Sequence, residues 1–126
     1  MDTGISGPEV RRLVTEPTTR GFALCWLVDH GLEDAGALFD PDDVFWFVDV
    51  LAQRLVTGGP KGLCDTLALA GSSHDAQIGV ISQLWRSPST ATDAVLAAIG
   101  ELHSAKVVAK AARKARFQRR SWLASS

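Results

Sequence analysis

The chain has 126 residues, with 46% apolar and 21% charged side chains and a formal net charge of −1. That composition suits one domain with a core of its own and argues against disorder along the whole length. The near-neutral balance conceals a split. Residues 106–126 carry seven basic side chains and no acidic one, whereas residues 1–105 carry fourteen acidic and six basic, which is +7 against −8. Asymmetry of this kind speaks about partners rather than fold.

The longest apolar run, Phe22 to Val28, has seven residues, against about 20 for a membrane span. The start, Met1-Asp2-Thr3-Gly4, lacks the basic-then-apolar pattern of a leader. The expectation is a soluble, cytoplasmic protein without a membrane partner. Cys25 and Cys64 fall inside apolar helical patterns, which predicts two free thiols in a reducing compartment rather than a disulfide.

Helix signals recur along the chain. Ser6-Gly7-Pro8-Glu9 opens a short helix, with proline in the first turn. Pro17-Thr18-Thr19 precedes a second helix that runs to about His30, with Gly31 as its C-terminal cap. A short amphipathic turn through Leu32, Ala35, Leu38 and Phe39 follows. Asp40-Pro41-Asp42-Asp43 combines an N-cap, a proline at the first helical position and carboxylates against the positive end of the dipole. It predicts a helix running to about Thr57 and stopping at Gly58-Gly59.

Pro60 opens the next helix, which ends near Gly71. Ser72-Ser73 caps another, with Ile78, Ile81, Leu84 and Trp85 in helical spacing up to Ser87-Pro88. Ser89 or Thr90 starts a helix through Val95, Leu96 and Ile99, and a turn at 100–104 leads into a basic last helix. Sustained strand-like alternation and hairpin turns are missing from the sequence. The fold class expected is all-α, with six to eight short antiparallel helices as HEAT-like helical pairs or a compact helical bundle. Residues 1–118 are expected to form one helical domain, and 119–126 a C-terminal tail.

The segment Asp93-Ala94-Val95-Leu96-Ala97-Ala98-Ile99-Gly100, a turn, then Lys106-Val107-Val108-Ala109-Lys110-Ala111-Ala112-Arg113-Lys114-Ala115 resembles a HEAT-type helical repeat. It is also similar to the C-terminal segment of a plasmid-borne family of bacterial proteins. The likeness spans about residues 90–118, and His103-Ser104-Ala105 stands where a HEAT repeat usually has an aspartate-proline start. The resemblance implies a helical scaffold that binds other macromolecules, with no site residue to carry over.

On a helical wheel, Val108, Ala111, Ala112 and Ala115 fall on one side of the last helix. Lys106, Lys110, Arg113 and Lys114 fall on the other, and Arg116, Phe117, Arg119, Arg120 and Trp122 continue the basic, aromatic composition. Basic residues beside aromatics suit nucleic acid or an acidic partner. The opposite pole holds Asp29, Glu33, Asp34, Asp40, Asp42, Asp43 and Asp49, with no Lys or Arg from Phe22 to Gln53. It can be a solvated face, a counter-surface for the basic helix or a site for a basic partner. Val44 to Leu51 is apolar nearly all round, which marks a central helix with Phe45 or Trp46 as candidates for a protein interface.

His30, His74 and His103 lack ligand spacing to each other or to cysteine, and the metal, nucleophile-elbow, phosphate-loop and dinucleotide motifs are missing. Gly58-Gly59-Pro60-Lys61-Gly62 lacks the phosphate-loop spacing and reads as a turn, and Ser72-Ser73-His74-Asp75 reads as a cap. No cofactor, metal or catalysis is expected. The leading expectation is a non-catalytic helical interaction module that binds a protein partner or itself. The alternative is a nucleic-acid- or ribosome-associated protein that binds through the last helix.

Overall fold

The computed structural model describes residues 7–13, 15 and 19–125, with side chains from Val10 onward. Among these residues it has six α-helices and no strand, so the all-α expectation holds. The expected starts at Ser6 and at Pro17-Thr18 lie outside the described residues, as does Ser126.

Helix α1 spans Gly7–Leu13 and buries Val10. Helix α2 spans Arg20–Asp29 and buries Ala23, Leu24, Cys25 and Leu27. It ends where glycine was expected to end it: Gly31 has φ 70°. Leu32 N donates to Leu27 O at 2.9 Å and Gly31 N to Val28 O at 3.1 Å. This pair of bonds is a Schellman cap, which needs a left-handed residue at that position. Gly21 serves packing instead. A β-carbon there would lie 2.8 Å from Asp49 Cβ and 3.0 Å from Val50 N, so its absence brings α2 against the next helix.

That helix, α3 (Phe47–Leu67), does not begin at Asp40, which corrects the sequence expectation. The carboxylate of Asp40 accepts from Asp42 N at 2.9 Å, its carbonyl accepts from Asp43 N at 3.1 Å, and Arg20 draws Asp43 toward α2 at 3.2 Å. Asp-Pro therefore makes a side-chain-closed turn rather than a helix start, an alternative open to any aspartate. Three-residue hydrogen bonds carry the chain on to Phe47. The expected stop is present as a break inside α3: Gly59 sits at φ 64°, ψ −156°, and Pro60 restarts the helix.

A 3-10 turn (Ala68–Ala70) leads to α4, His74–Leu84, whose N-cap Ser73 accepts from Ala76 N at 3.1 Å. Helix α5 spans Thr92–Leu102 and α6 spans Lys106–Ser125. The segment 119–126, expected as a tail, continues α6 through Ser125.

Phe47, Val48, Val50 and Leu51 of α3 are wholly buried. They join α2 on one side to α5 on the other, while α4 and α5 both pack against α6. Helices α5 and α6 are antiparallel: Gly100, near the end of α5, receives Arg113, and Asp93, at its start, receives Arg116. Both cysteines are free thiols. Burial pushes the Cys25 thiol up to about 11, opposed in part by the nearby Arg54 guanidinium.

A polar network closes the junction of α4, α5 and α6. Gln77 is buried and donates to Gly71 O at 3.1 Å, while its oxygen faces His103 Nε2 at 3.0 Å. His103 Nδ1 accepts from Ala105 N at 3.0 Å, which leaves the ring neutral with its proton on Nε2. Burial, with His74 nearby, holds the imidazole below its ordinary value.

Three outcomes follow from these elements. Gly59 lies in a region that only glycine occupies readily, so Gly59→Ala should lower unfolding free energy by about 1–3 kcal/mol. Gly58 is helical with open space at its β-position, so Gly58→Ala should raise it by about 0.5 kcal/mol; urea denaturation measures both. The unfolded chain takes up a proton on His103 near pH 6.5 and the folded chain only at lower pH, so stability falls on acidification through that range. The urea midpoint should therefore drop from pH 7.5 to 5.5 by more in the wild type than in His103→Gln.

Candidate functional site

Helix α6 carries the basic segment, and the structure divides that segment in two. Val108, Ala112, Ala115 and Arg119 form the buried face. The small residues allow close approach to α5, where Gly100 leaves room for the Arg113 side chain (a β-carbon would meet Arg113 Cγ at 2.8 Å).

The four arginines grip the rest of the protein. Arg113 donates to Gly100 O at 2.8 Å, a cation on the carbonyl-bearing end of α5. Arg116 makes a two-pronged contact with Asp93, 3.1 Å on each oxygen, and Arg120 adds a longer one at 3.5 Å. The Arg116 hydrogen bonds are the main reason that the Asp93 carboxyl lies below the ordinary carboxylate range.

Arg119 is only 8% exposed. Its Nη1 donates to Trp85 O at 2.8 Å and Ser87 O at 2.7 Å, and its Nη2 approaches Ser89 O at 3.5 Å. It gathers the carbonyls of the loop between α4 and α5. The hydroxyls of that loop reach further: Ser87 Oγ donates to Phe45 O at 3.1 Å and Ser89 Oγ to Asp49 at 2.7 Å. One guanidinium thus connects α6, through the loop, to the start of α3.

The lysines differ. Lys106, Lys110 and Lys114 are exposed on the outer face of α6 and make no ion pair among the described residues. Phe117 shares this face and is 72% exposed, with Val107 beside it. Trp122 instead lies edge-on to Trp85, ring centres 5.7 Å apart, and Arg86 covers Trp85. The expected continuous basic face is therefore a structural arginine face and an outward lysine row with one aromatic.

The acidic segment does not face α6. Asp29 pairs with Arg54 at 2.8 Å, Glu33 with Arg11 at 3.4 Å, and Asp40 and Asp43 with Arg20. Phe45 and Trp46 part company: Phe45 is 40% exposed, whereas Trp46 is buried beneath the Arg20 guanidinium, 4.6 Å from its ring centre. Both line one cleft at the starts of α2 and α3, closed on its far side by Ser87 to Thr90. Sequence reasoning missed this cleft, because Asp49 counted only as one member of the acidic segment and Ser89 as a helix start; Ser-Pro-Ser-Thr facing an aromatic-acidic helix start was the available signal. The described residues include no group of three or more His, Cys, Asp or Glu able to hold a metal. Comparison with known proteins found no matching family model, curated protein or solved structure.

Burial separates the arginines energetically. Arg119→Met should cost about 1.5–3 kcal/mol of unfolding free energy, since it strands several carbonyls. Arg120→Met, at a position whose side chain is 62% exposed, should cost less than about 1 kcal/mol. Chemical denaturation of the two variants makes the comparison.

Proposed function

We propose that this chain is a non-catalytic helical interaction module whose outer α6 face binds an acidic, amphipathic protein segment. The observation that carries this reading is the row Lys106, Lys110, Lys114 and Phe117, exposed on one face while the neighbouring arginines have hydrogen-bond or ion-pair partners within the chain. The three lysines recur at one-turn spacing, about 6 Å apart along the axis. That spacing complements carboxylates repeating once per turn on a partner helix, and Phe117 supplies the apolar anchor that such contacts need.

The same division weighs against nucleic acid. Arginine is the side chain best shaped for two-pronged phosphate contact, and all four arginines of α6 have partners within the chain. Trp122, a candidate for base stacking, is packed on Trp85. The α5–α6 pair as a HEAT-like scaffold, and a bacterial cytoplasmic setting, belong to the same proposal. No helix among the described residues is long and apolar enough to cross a membrane.

Fluorescence anisotropy with two labelled probes tests the reading: a Glu/Leu amphipathic helical peptide and a 20-nucleotide oligouridine. The peptide should bind, and either Phe117→Ala or the triple change Lys106→Glu, Lys110→Glu, Lys114→Glu should weaken it by about ten-fold or more. Oligouridine binding that is stronger than the peptide's, falls steeply with salt and is indifferent to Phe117→Ala would replace this reading with the nucleic-acid one.

A further inference from the structure

The cleft at the starts of α2 and α3 lies apart from the lysine row. It encloses about 490 Å³, within the roughly 300–1,000 Å³ typical of small-ligand sites. Phe45, Trp46 and Pro88 give it apolar walls, and the polar side chains of Arg20, Asp43 and Asp49 converge on it.

Two imbalances inside the cleft define what would fit. The first is a carboxylate in excess. Arg20, the one cation among the described lining residues, is already shared between Asp43 at 3.2 Å and Asp40 at 3.7 Å. Asp49 is half-buried, accepts from the Ser89 hydroxyl on one oxygen, and pairs with no Lys or Arg among the described residues. The second is a donor without an acceptor. Trp46 is 6% exposed, and among the described residues its indole Nε1 has no hydrogen-bond partner, nor has the adjacent Arg20 Nε. Buried donors are almost always paired in folded proteins, so an unpaired one calls for an explanation.

The two imbalances are neighbours. Trp46 is the N-cap of α3 and Asp49 lies three residues on, a spacing that places side chains on the same helix face. An excess negative charge and an orphan donor three residues apart, in a cleft with aromatic walls, complement a cation with an adjacent acceptor and an apolar group.

We infer that this cleft binds α-amino amides: molecules with a free ammonium, a carbonyl on the next carbon but one, and an apolar side group. The ammonium meets Asp49, the carbonyl oxygen accepts from Trp46 Nε1 and Arg20 Nε, and the side group lies on Phe45 and Pro88. The Arg20 side chain is 30% exposed, and its ion pairs to exposed carboxylates are weak, so it is the part that yields as the carbonyl enters. The chemistry is shared by free amino-acid amides and by the amino terminus of a peptide.

Titration of ¹⁵N-labelled full-length protein, followed by NMR, tests this with three small probes and one peptide. Phenylalaninamide should shift the Trp46 indole and Ser89 signals saturably. It should bind about ten-fold or more tightly than N-acetylphenylalaninamide, which lacks the charge, and more tightly than 2-phenylethylamine, which lacks the carbonyl. Asp49→Asn keeps an oxygen for Ser89 and should lower affinity by about ten-fold. Phe45→Ala, at an exposed rim position, should lower it without touching the core, and serves if Asp49→Asn fails to fold. A pentapeptide with amino-terminal phenylalanine that binds equally well assigns the cleft to peptide termini, whereas loss of binding on lengthening assigns it to free amides. Equal binding of the acetylated probe, no saturable shift with phenylalaninamide, or unchanged affinity in both folded variants would overturn the inference.

Discussion

The fold turns on one buried cation. Arg119 sits near the end of a long surface helix, yet its guanidinium is enclosed and serves backbone carbonyls of the loop between α4 and α5. A guanidinium is suited to the task because its planar fork addresses several acceptors at once and does not lose its charge. Burying it is acceptable only because those acceptors are there, and leaving them bare would be costly in turn. Through Ser87 and Ser89 the same loop holds the start of α3, the helix around which the core is organised. Helix α6 thus bears, through the 87–90 loop, on the geometry of the cleft that this loop forms with the starts of α2 and α3.

This arrangement explains the charge split without bringing its poles together. Four carboxylates of the acidic segment are paired by Arg11, Arg20 and Arg54. The basic segment spends its arginines on Asp93 and on carbonyls, including that of Gly100 at the end of α5. Among the described residues three lysines with Phe117 on one face of α6 stay outside these ion pairs, as do Asp34, Asp42 and Asp49, of which only Asp49 lines the cleft. Chemical choice follows role: the multi-pronged arginines are engaged within the chain, with Arg119 buried, and the single-point lysines point outward.

Much of the architecture was legible in the sequence because it rests on local rules. Gly31 as a left-handed cap, the break at Gly58-Gly59, Ser73 as N-cap and the apolar run that became the α3 core all follow from backbone and burial preferences acting over a few residues. The Asp40-Pro41 start failed because two local solutions compete for the same aspartate, and the distant Arg20 sides with the turn. Arginine and lysine also looked alike on the helical wheel. Arg119 falls on the buried side, but only the loop carbonyls that meet it make it structural rather than an exposed basic residue. The cleft was invisible for the same reason: its walls come from α2, α3 and the 87–90 loop, segments that no spacing rule connects.

The central claim is that α6 is a structural arginine face backed by an outward lysine row, with Arg119 locked in place. Arginine side-chain ¹⁵N NMR addresses it directly, because a guanidinium held by several carbonyls has slowed rotation about its Cζ–Nη bonds and protected Nη hydrogens. The account predicts distinct, slowly exchanging Nη signals for Arg119, removed by Arg119→Lys, and a rapidly averaged spectrum for the more exposed Arg120. An Arg119 signal as averaged as that of a free arginine would contradict it.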